Sequence, residues 1–450
     1  MYPSFNSQFL ETRTARHQDI TFSYLPQDAR KACMLVCRRW KNIFLDNPTL
    51  WTLIFILRTE RSNEEKHFRR HLFLSRDEPI DIVVVGSEFG SSPVLADPVL
   101  ELIHQNLARV HALSGQLYST ELQCIFPSGK LWELPALRIL HVFSTEQLYP
   151  RFEIGGLSAP RLVHLSFDQP DLALAFTSRG VAQNKSLQYL CIQVDGTPVP
   201  VRAFLDFVAS CPNIRRFSFM VYRSWIPLNI LADIETWPVT RRVTLPKLFL
   251  LAIGPYYSND TILFLRCLHC PELRVFRCLT PQDHDPIEYT SVFKASWHIL
   301  RECAMSLTYL ILKGQFLMRD NFMESLISRL DNLLDFSLIN VSLPPWFFEI
   351  FLVKNRQQRQ PWSCPKLRTL RFDVLDIEGN GLGRLIRLRS PPDSGQNSST
   401  ENSAGFQENC IVKDTLTSVR IKDCCFLEDE VYAELLQLEQ TYSNTLWIEW

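Results

Sequence analysis

Residues 270–278 read Cys-Pro-Glu-Leu-Arg-Val-Phe-Arg-Cys, and two other stretches share their frame. Residues 211–219 are Cys-Pro-Asn-Ile-Arg-Arg-Phe-Ser-Phe, and residues 364–372 are Cys-Pro-Lys-Leu-Arg-Thr-Leu-Arg-Phe. The frame is an apolar residue, two others, an apolar residue, one other, then a third apolar residue. Proline stands two residues before the first. The last two apolar positions are two apart, which puts both on one face of a strand. Proline just upstream suits the first residue of a strand, where no ladder hydrogen bond is needed from its nitrogen.

The triple recurs along the chain from residue 134. It is Leu137/Leu140/Val142, Leu162/Leu165/Phe167, Leu187/Leu190/Ile192, Ile214/Phe217/Phe219 and Leu248/Leu251/Ile253. It continues as Leu273/Phe276/Cys278, Leu307/Leu310/Leu312, Leu333/Phe336/Leu338, Leu367/Leu370/Phe372 and Leu416/Val419/Ile421. Pro135, Pro160, Pro212, Pro246, Pro271 and Pro365 hold the proline position. First positions follow one another at 25, 25, 27, 34, 25, 34, 26, 34 and 49 residues. With 64 leucines in 450 residues one triple is expected by chance, but ten near a base period of 25 are a repeat. Helical patterns lie between triples, at 201–210, 261–269, 321–330 and 430–438. Strand, loop, helix and strand at this period is the layout of leucine-rich repeats. One such unit cannot bury its apolar face alone, so neighbours stack into a solenoid. The consensus Asn or Cys eight residues after the first leucine is met only by Cys424, so the repeats are irregular.

The expected fold class is α/β: a short all-α module, then an irregular leucine-rich-repeat-like solenoid of parallel strands alternating with helices and loops. The expected segments are a disordered 1–16, a helical module at 17–57, a transition with the first solenoid units at 58–133, and the solenoid at 134–450. The transition should hold a strand near 80–85 and a helix near 97–109. Residues 390–409, rich in Ser, Asn and Gly, read as a flexible insertion that explains the longest gap.

Residues 25–51 read LPQDARKACMLVCRRWKNIFLDNPTLW. Ala32, Leu35, Val36, Trp40 and Ile43 fall on one face of a single helix. Arg30, Lys31, Arg38, Arg39 and Lys41 crowd the rest, and Asn47-Pro48 stops it. Val36-Cys37-Arg38, Trp40, Pro48, Leu50 and Trp51 resemble the F-box. Leu72-Phe-Leu-Ser-Arg76, Pro79 and Ile80-Asp-Ile82 look like the segment after the F-box in the large fungal F-box family, whose usual continuation is a leucine-rich array. Asp19-Ile20-Thr21-Phe22 and Leu25-Pro26 look like the end of the motif's first helix; its opening Leu-Pro is missing. Either the gene begins upstream, or the partner-binding surface is reduced.

The resemblance implies a non-enzymatic substrate receptor of an SCF-type (Skp1–cullin–F-box) ubiquitin ligase. It implies docking on a Skp1-like adaptor, and through it a cullin–RING ligase. Leu25, Pro26, Ala32, Leu35, Val36, Cys37, Trp40, Ile43, Pro48, Leu50 and Trp51 would carry that contact. The alternative is a protein-interaction solenoid with a degenerate F-box. Strand residues between the core positions would line the concave face and meet a protein substrate. They are His164, Asp168, Tyr189, Arg216, Arg277, Tyr309, Lys313, Asp335, Arg371, Asp373 and Arg420, with His141, Gln193, Met220 and Lys422 beside them.

Charge is balanced at 47 Lys+Arg against 48 Asp+Glu, which argues against a nucleic-acid partner. The longest apolar runs are far short of the roughly 20 residues of a membrane span. The first residues form no basic-then-apolar leader, and the 13 cysteines lack disulfide-like spacing, so a cytoplasmic or nuclear site is expected. No cofactor is expected. Cys267 and Cys270 form a CxxC with His269 between, but Cys270 holds the same pre-proline place as Cys211 and Cys364, so they read as core rather than zinc ligands. His67 and His71 share a helix face and read as solvated. Gly379, Gly381 and Gly383 read as a turn. The chain has no nucleophile elbow, phosphate loop or HExxH motif, so a hydrolase or nucleotide enzyme has no motif in its favour.

Overall fold

Every apolar residue of the ten triples is at most 2% exposed. A computed structural model of the protein describes residues 27–58, 64–85, 94–143, 155–168, 175–176, 184–195, 201–223, 242–255, 259–279, 296–313, 322–339, 346–352, 363–373, 376–377, 381–389, 416–422, 426–427, 429–441 and 446–449. The expected segments 1–16 and 390–409 lie outside these residues. The chain forms two units, Met1–Leu187 and Gln188–Trp450.

The first unit begins with helices α1 (Gln27–Val36) and α2 (Arg38–Asp46) and a 3-10 turn, Pro48–Trp51. Strands β1 (Leu53–Leu57), β2 (Ile80–Val85), β3 (Val110–Gln116), β4 (Ile139–Phe143) and β5 (His164–Phe167) then pair in sequence order, all parallel. Parallel neighbours need a crossover, and helices α3 (Glu64–Ser75), α4 (Asp97–Gln105) and α5 (Ser119–Ile125) lie in the first three. The strand expected near 80–85 and the helix expected near 97–109 are β2 and α4, the latter extended by a 3-10 turn, Leu107–Arg109. Ile54, Ile82, Leu113, Leu140 and Leu165 form one buried row across this sheet.

Among the described residues the main sheet of the second unit has nine strands, again parallel and in sequence order. They are β6 (Tyr189–Asp195), β7 (Arg216–Arg223), β8 (Leu250–Pro255), β9 (Val275–Leu279), β10 (Tyr309–Lys313), β11 (Asp335–Ile339), β12 (Thr369–Asp373), β13 (Ser418–Lys422) and β14 (Leu446–Glu449). Helices α6 (Val201–Ala209), α7 (Asn259–Cys267), α8 (Phe322–Ile327), α9 (Gly381–Arg389) and α10 (Asp429–Thr441) lie between strands. Between β11 and β12 a 3-10 helix, Phe347–Leu352, takes that place. Its Phe347 and Phe351 pack on Phe336 of β11 at 6.3 and 5.9 Å, as Phe204 of α6 packs on Phe217 of β7 at 6.2 Å. Short parallel pairs such as Val243–Thr244 with Leu268–His269 add a second ladder within some repeats.

Three sequence expectations are corrected here. Proline is not the first strand residue; it sits in a turn ahead of the strand. Leu273 N–H donates to the Cys270 carbonyl (3.2 Å), Ile214 to Cys211 (3.3 Å) and Leu367 to Cys364 (3.1 Å). Proline is thus the second residue of a four-residue turn, where its fixed φ is favoured. The amino-terminal helix is two helices, because Cys37 is extended (φ −162°, ψ 168°) and its carbonyl accepts from Lys41 N–H at 3.0 Å. Val36 and Cys37 are both weak helix formers, so the break falls at a weak point. Gly381 and Gly383 open α9 rather than a turn.

Two glycines are required by space. Gly115 (φ +132°) and Gly254 (φ +149°) end the close approach of β3 to β2 and of β8 to β9. A Cβ would lie 2.0 Å from the Val84 carbonyl oxygen in the first case and 2.2 Å from that of Leu279 in the second.

Candidate functional site

The amino-terminal helices divide their apolar residues in two. Phe44 and Trp51 face inward, each 4% exposed. The Trp51 indole donates to the Phe44 carbonyl at 2.7 Å and meets the His71 ring edge-on at 5.2 Å, while His71 Nδ1 lies 3.3 Å from the Trp51 carbonyl. His71 is therefore buried rather than solvated, 4.5 Å from His67 ring to ring. This fastening holds α2 to α3.

The other apolar side chains point to solvent. Leu35 is 85% exposed, Val36 67%, Ile43 51% and Trp40 47%. Trp40 stacks on Phe44 with ring centroids 6.4 Å apart, so the buried residue backs the exposed one. Arg38, Arg39 and Lys41 are exposed around this patch, as are Ala32 and Cys37; Pro48 and Leu50 are half-buried. Leu25 and Pro26 lie outside the described residues. Large apolar side chains grouped on a cationic surface mark an interaction site. Of the eleven residues expected at this contact, Trp51 is corrected: its indole is occupied inside the fold and offers no outward face.

The substrate-contact candidates fall into both units. His164 and Asp168 belong to the first and are half-buried, with His164 6.5 Å from His141 ring to ring. The rest lie in the second, on the sheet face opposite the triples. Their register is parallel across neighbouring strands, so they form rows. Tyr189 and Arg216 are neighbours, with the guanidinium 5.4 Å from the ring centroid. Arg371 and Arg420 are direct neighbours, and Arg371 forks onto Asp373 with Nε 3.1 Å from both oxygens and Nη2 2.8 Å from Oδ2. Tyr309 pairs with Asp335 on the adjacent strand. Arg277 and Lys313 are half-buried. Asp373, Gln193 and Met220 are buried, at 7%, 8% and 1%. Lys422 is in β13.

Burial marks the electrostatics of this face. It raises the Asp335 carboxyl above its ordinary range, against the pull of Arg371 and Arg420. It lowers the Lys313 ammonium, against the pull of Asp373.

Two polar clusters had no sequence signal. Arg58 and Glu121 form a buried ion pair, with Arg58 Nη1 to Oε1 at 2.8 Å. The carboxylate also accepts the N–H of Leu95 (2.7 Å) and of Tyr118 (2.8 Å). Glu302 in the second unit accepts from His269 at 2.5 Å and pairs with Arg242 at 3.1 Å and His298 at 3.3 Å. Burial works against the Glu302 carboxylate, and these partners outweigh it, holding it below the usual range.

Cys267 and Cys270 are core residues. Burial pushes the Cys211 thiol up to about 11 and those of Cys303 and Cys364 to about 12, and it raises Cys267 and Cys270 as well. Such thiols are poor ligands and nucleophiles. Among the described residues no group of three or more His, Cys, Asp or Glu has the geometry of a metal site, and no helix is long and apolar enough to cross a membrane.

The chain matches none of the curated proteins compared with it. Residues 22–57 match the family model described as F-box-like, a range that includes α1, α2, the 3-10 turn and β1. The chain carries an F-box-like domain there.

Proposed function

We propose that this chain is a non-enzymatic substrate receptor of an SCF-type ubiquitin ligase. The observation that carries the reading is a coincidence of place: the F-box-like match spans the helices that expose Leu35, Val36, Trp40 and Ile43. These side chains would enter apolar pockets of a Skp1-like adaptor, with Trp40 as the central anchor. The adaptor would join the chain to a cullin–RING ligase. The strand series, read as a leucine-rich-repeat-like solenoid, would present a protein substrate on its open face. The chemistry belongs to the ligase; this chain raises the effective concentration of substrate near the ubiquitin donor. Its expected place is the cytoplasm or nucleus.

Co-purification with a Skp1-type adaptor tests the reading. Wild type should be retained, and Trp40→Ala combined with Ile43→Ala should not. Failure of well-folded wild type to bind would instead favour an interaction protein whose F-box does not engage an adaptor.

A further inference from the structure

We infer that the open face of the second unit, across β10 to β13, receives an acidic segment of a protein ligand, with Arg420 as the principal carboxylate contact. The receptor reading above supplies only the expectation that the ligand is a protein; the charge and placement come from the sheet itself.

Register gathers the charges. In the middle row of this face, β6, β7 and β8 carry Cys191, Ser218 and Ala252, all small. The same row on β9, β12 and β13 carries Arg277, Arg371 and Arg420. Arg371 and Arg420 stand side by side on adjacent strands, about 4.8 Å apart along the ladder. Like charges in that relation repel. Asp373 neutralises Arg371 through its two-pronged contact. Asp335 lies within electrostatic reach of both arginines, whose pull opposes the upward push of burial on its carboxyl. Arg420 is exposed, and among the described residues it makes no hydrogen bond or ion pair. Lys313, Arg371 and Arg420 share this face with Asp335 and Asp373, and Lys422 follows on β13 in register with Asp373, so across these four strands cations outnumber carboxylates. An incoming carboxylate reduces that excess.

Arg420 on β13 is exposed to an arriving ligand, while Lys313 on β10 and Asp335 on β11 are half-buried. Arg420 can grip a carboxylate with two parallel N–H bonds. Ile311 and Ser337 hold the middle row on β10 and β11, between Arg277 and Arg371; Ile339 lies in the next row, and Tyr309 is 42% exposed at the near end. The row from β9 to β13 covers about 19 Å, the reach of roughly six extended residues. A peptide segment fits that span better than a small anion.

The test uses the full chain and fluorescence anisotropy of a labelled peptide of alternating Glu and Ser, with a Lys/Ser peptide of equal length beside it. The acidic peptide should bind and the basic one should not. Arg420→Glu should weaken binding about tenfold, the loss expected for a reversed charge-assisted contact. Arg420→Lys should keep most of it. Arg274→Glu, a charge change on the exposed rim residue before β9, should change little. Equal loss from Arg274→Glu, no effect of Arg420→Glu in a chain of unchanged circular dichroism, or binding only when the Ser residues are phosphorylated would each overturn the assignment. Adaptor co-purification is read separately with the same variants. Arg420→Glu should leave it intact, so a failure here and a failure of the receptor reading are distinguishable.

Discussion

Trp40 and Trp51 belong to the same motif and do opposite things. Trp51 closes the fold, with its indole bonded to the Phe44 carbonyl and set against His71. Trp51→Ala should cost about 3–5 kcal/mol of stability, measured by urea unfolding. Trp40→Ala should shift the same transition by no more than about 0.5 kcal/mol and act on binding instead. Glu121 is the other residue on which stability turns. Its removal strands Arg58 as a buried charge and leaves the N–H groups of Leu95 and Tyr118 without their acceptor, so Glu121→Ala should lose about 3–5 kcal/mol. The buried thiols set the alkaline limit. Cys211, Cys303 and Cys364 ionise only near 11 to 12 when folded, against an ordinary value of 9.0. Above pH 9 the unfolded chain releases those protons first, so it binds fewer than the folded chain and stability falls as pH rises. Their contribution is fully present below pH 9 and is lost through the range up to about 12. A urea midpoint that stays level from pH 8 to 10.5 would contradict this.

At the scale of elements, the close strand contact is decided by glycine. Gly254→Ala puts a methyl 2.2 Å from a backbone oxygen at a positive φ, and the expected loss is about 3 kcal/mol by thermal or urea unfolding. Much of the element pattern was legible in the sequence. The triples mark β4 to β13, because a buried parallel strand flanked by a tight turn leaves a fixed spacing of apolar residues and proline. The helical patterns at 201–210, 261–269 and 430–438 overlap α6, α7 and α10. The break at Cys37 was not legible, since the apolar spacing runs across it unaltered. Nor was the proline's true place: a turn and a strand start both suit its fixed φ, and the hydrogen bond from Leu273 to Cys270 decides between them. The burial of His71 and Trp51 depends on contacts between residues distant in the chain. Periodicity carries no information about those. The same holds for the Arg58–Glu121 pair, whose partners are far apart in sequence.

For the whole molecule, the two surfaces proposed as contacts belong to separate units. The exposed apolar patch lies within the F-box-like domain of the first, and the charged rows lie on the sheet of the second. A receptor needs two contacts that act independently, one toward the ligase and one toward the substrate. Changes in one should therefore leave the other unaffected, with additive effects on ubiquitin transfer to a captured protein. The central claim rests on the first contact. Its most direct measurement is the affinity of the full chain for a Skp1-type adaptor by isothermal titration, compared with a Trp40→Ala/Ile43→Ala variant of equal thermal stability. The account predicts measurable binding by wild type and a loss of at least about a hundredfold in the variant, as for removal of two anchors from an interface centre. Absence of binding by the folded wild type, or an affinity unchanged by the double substitution, would contradict it.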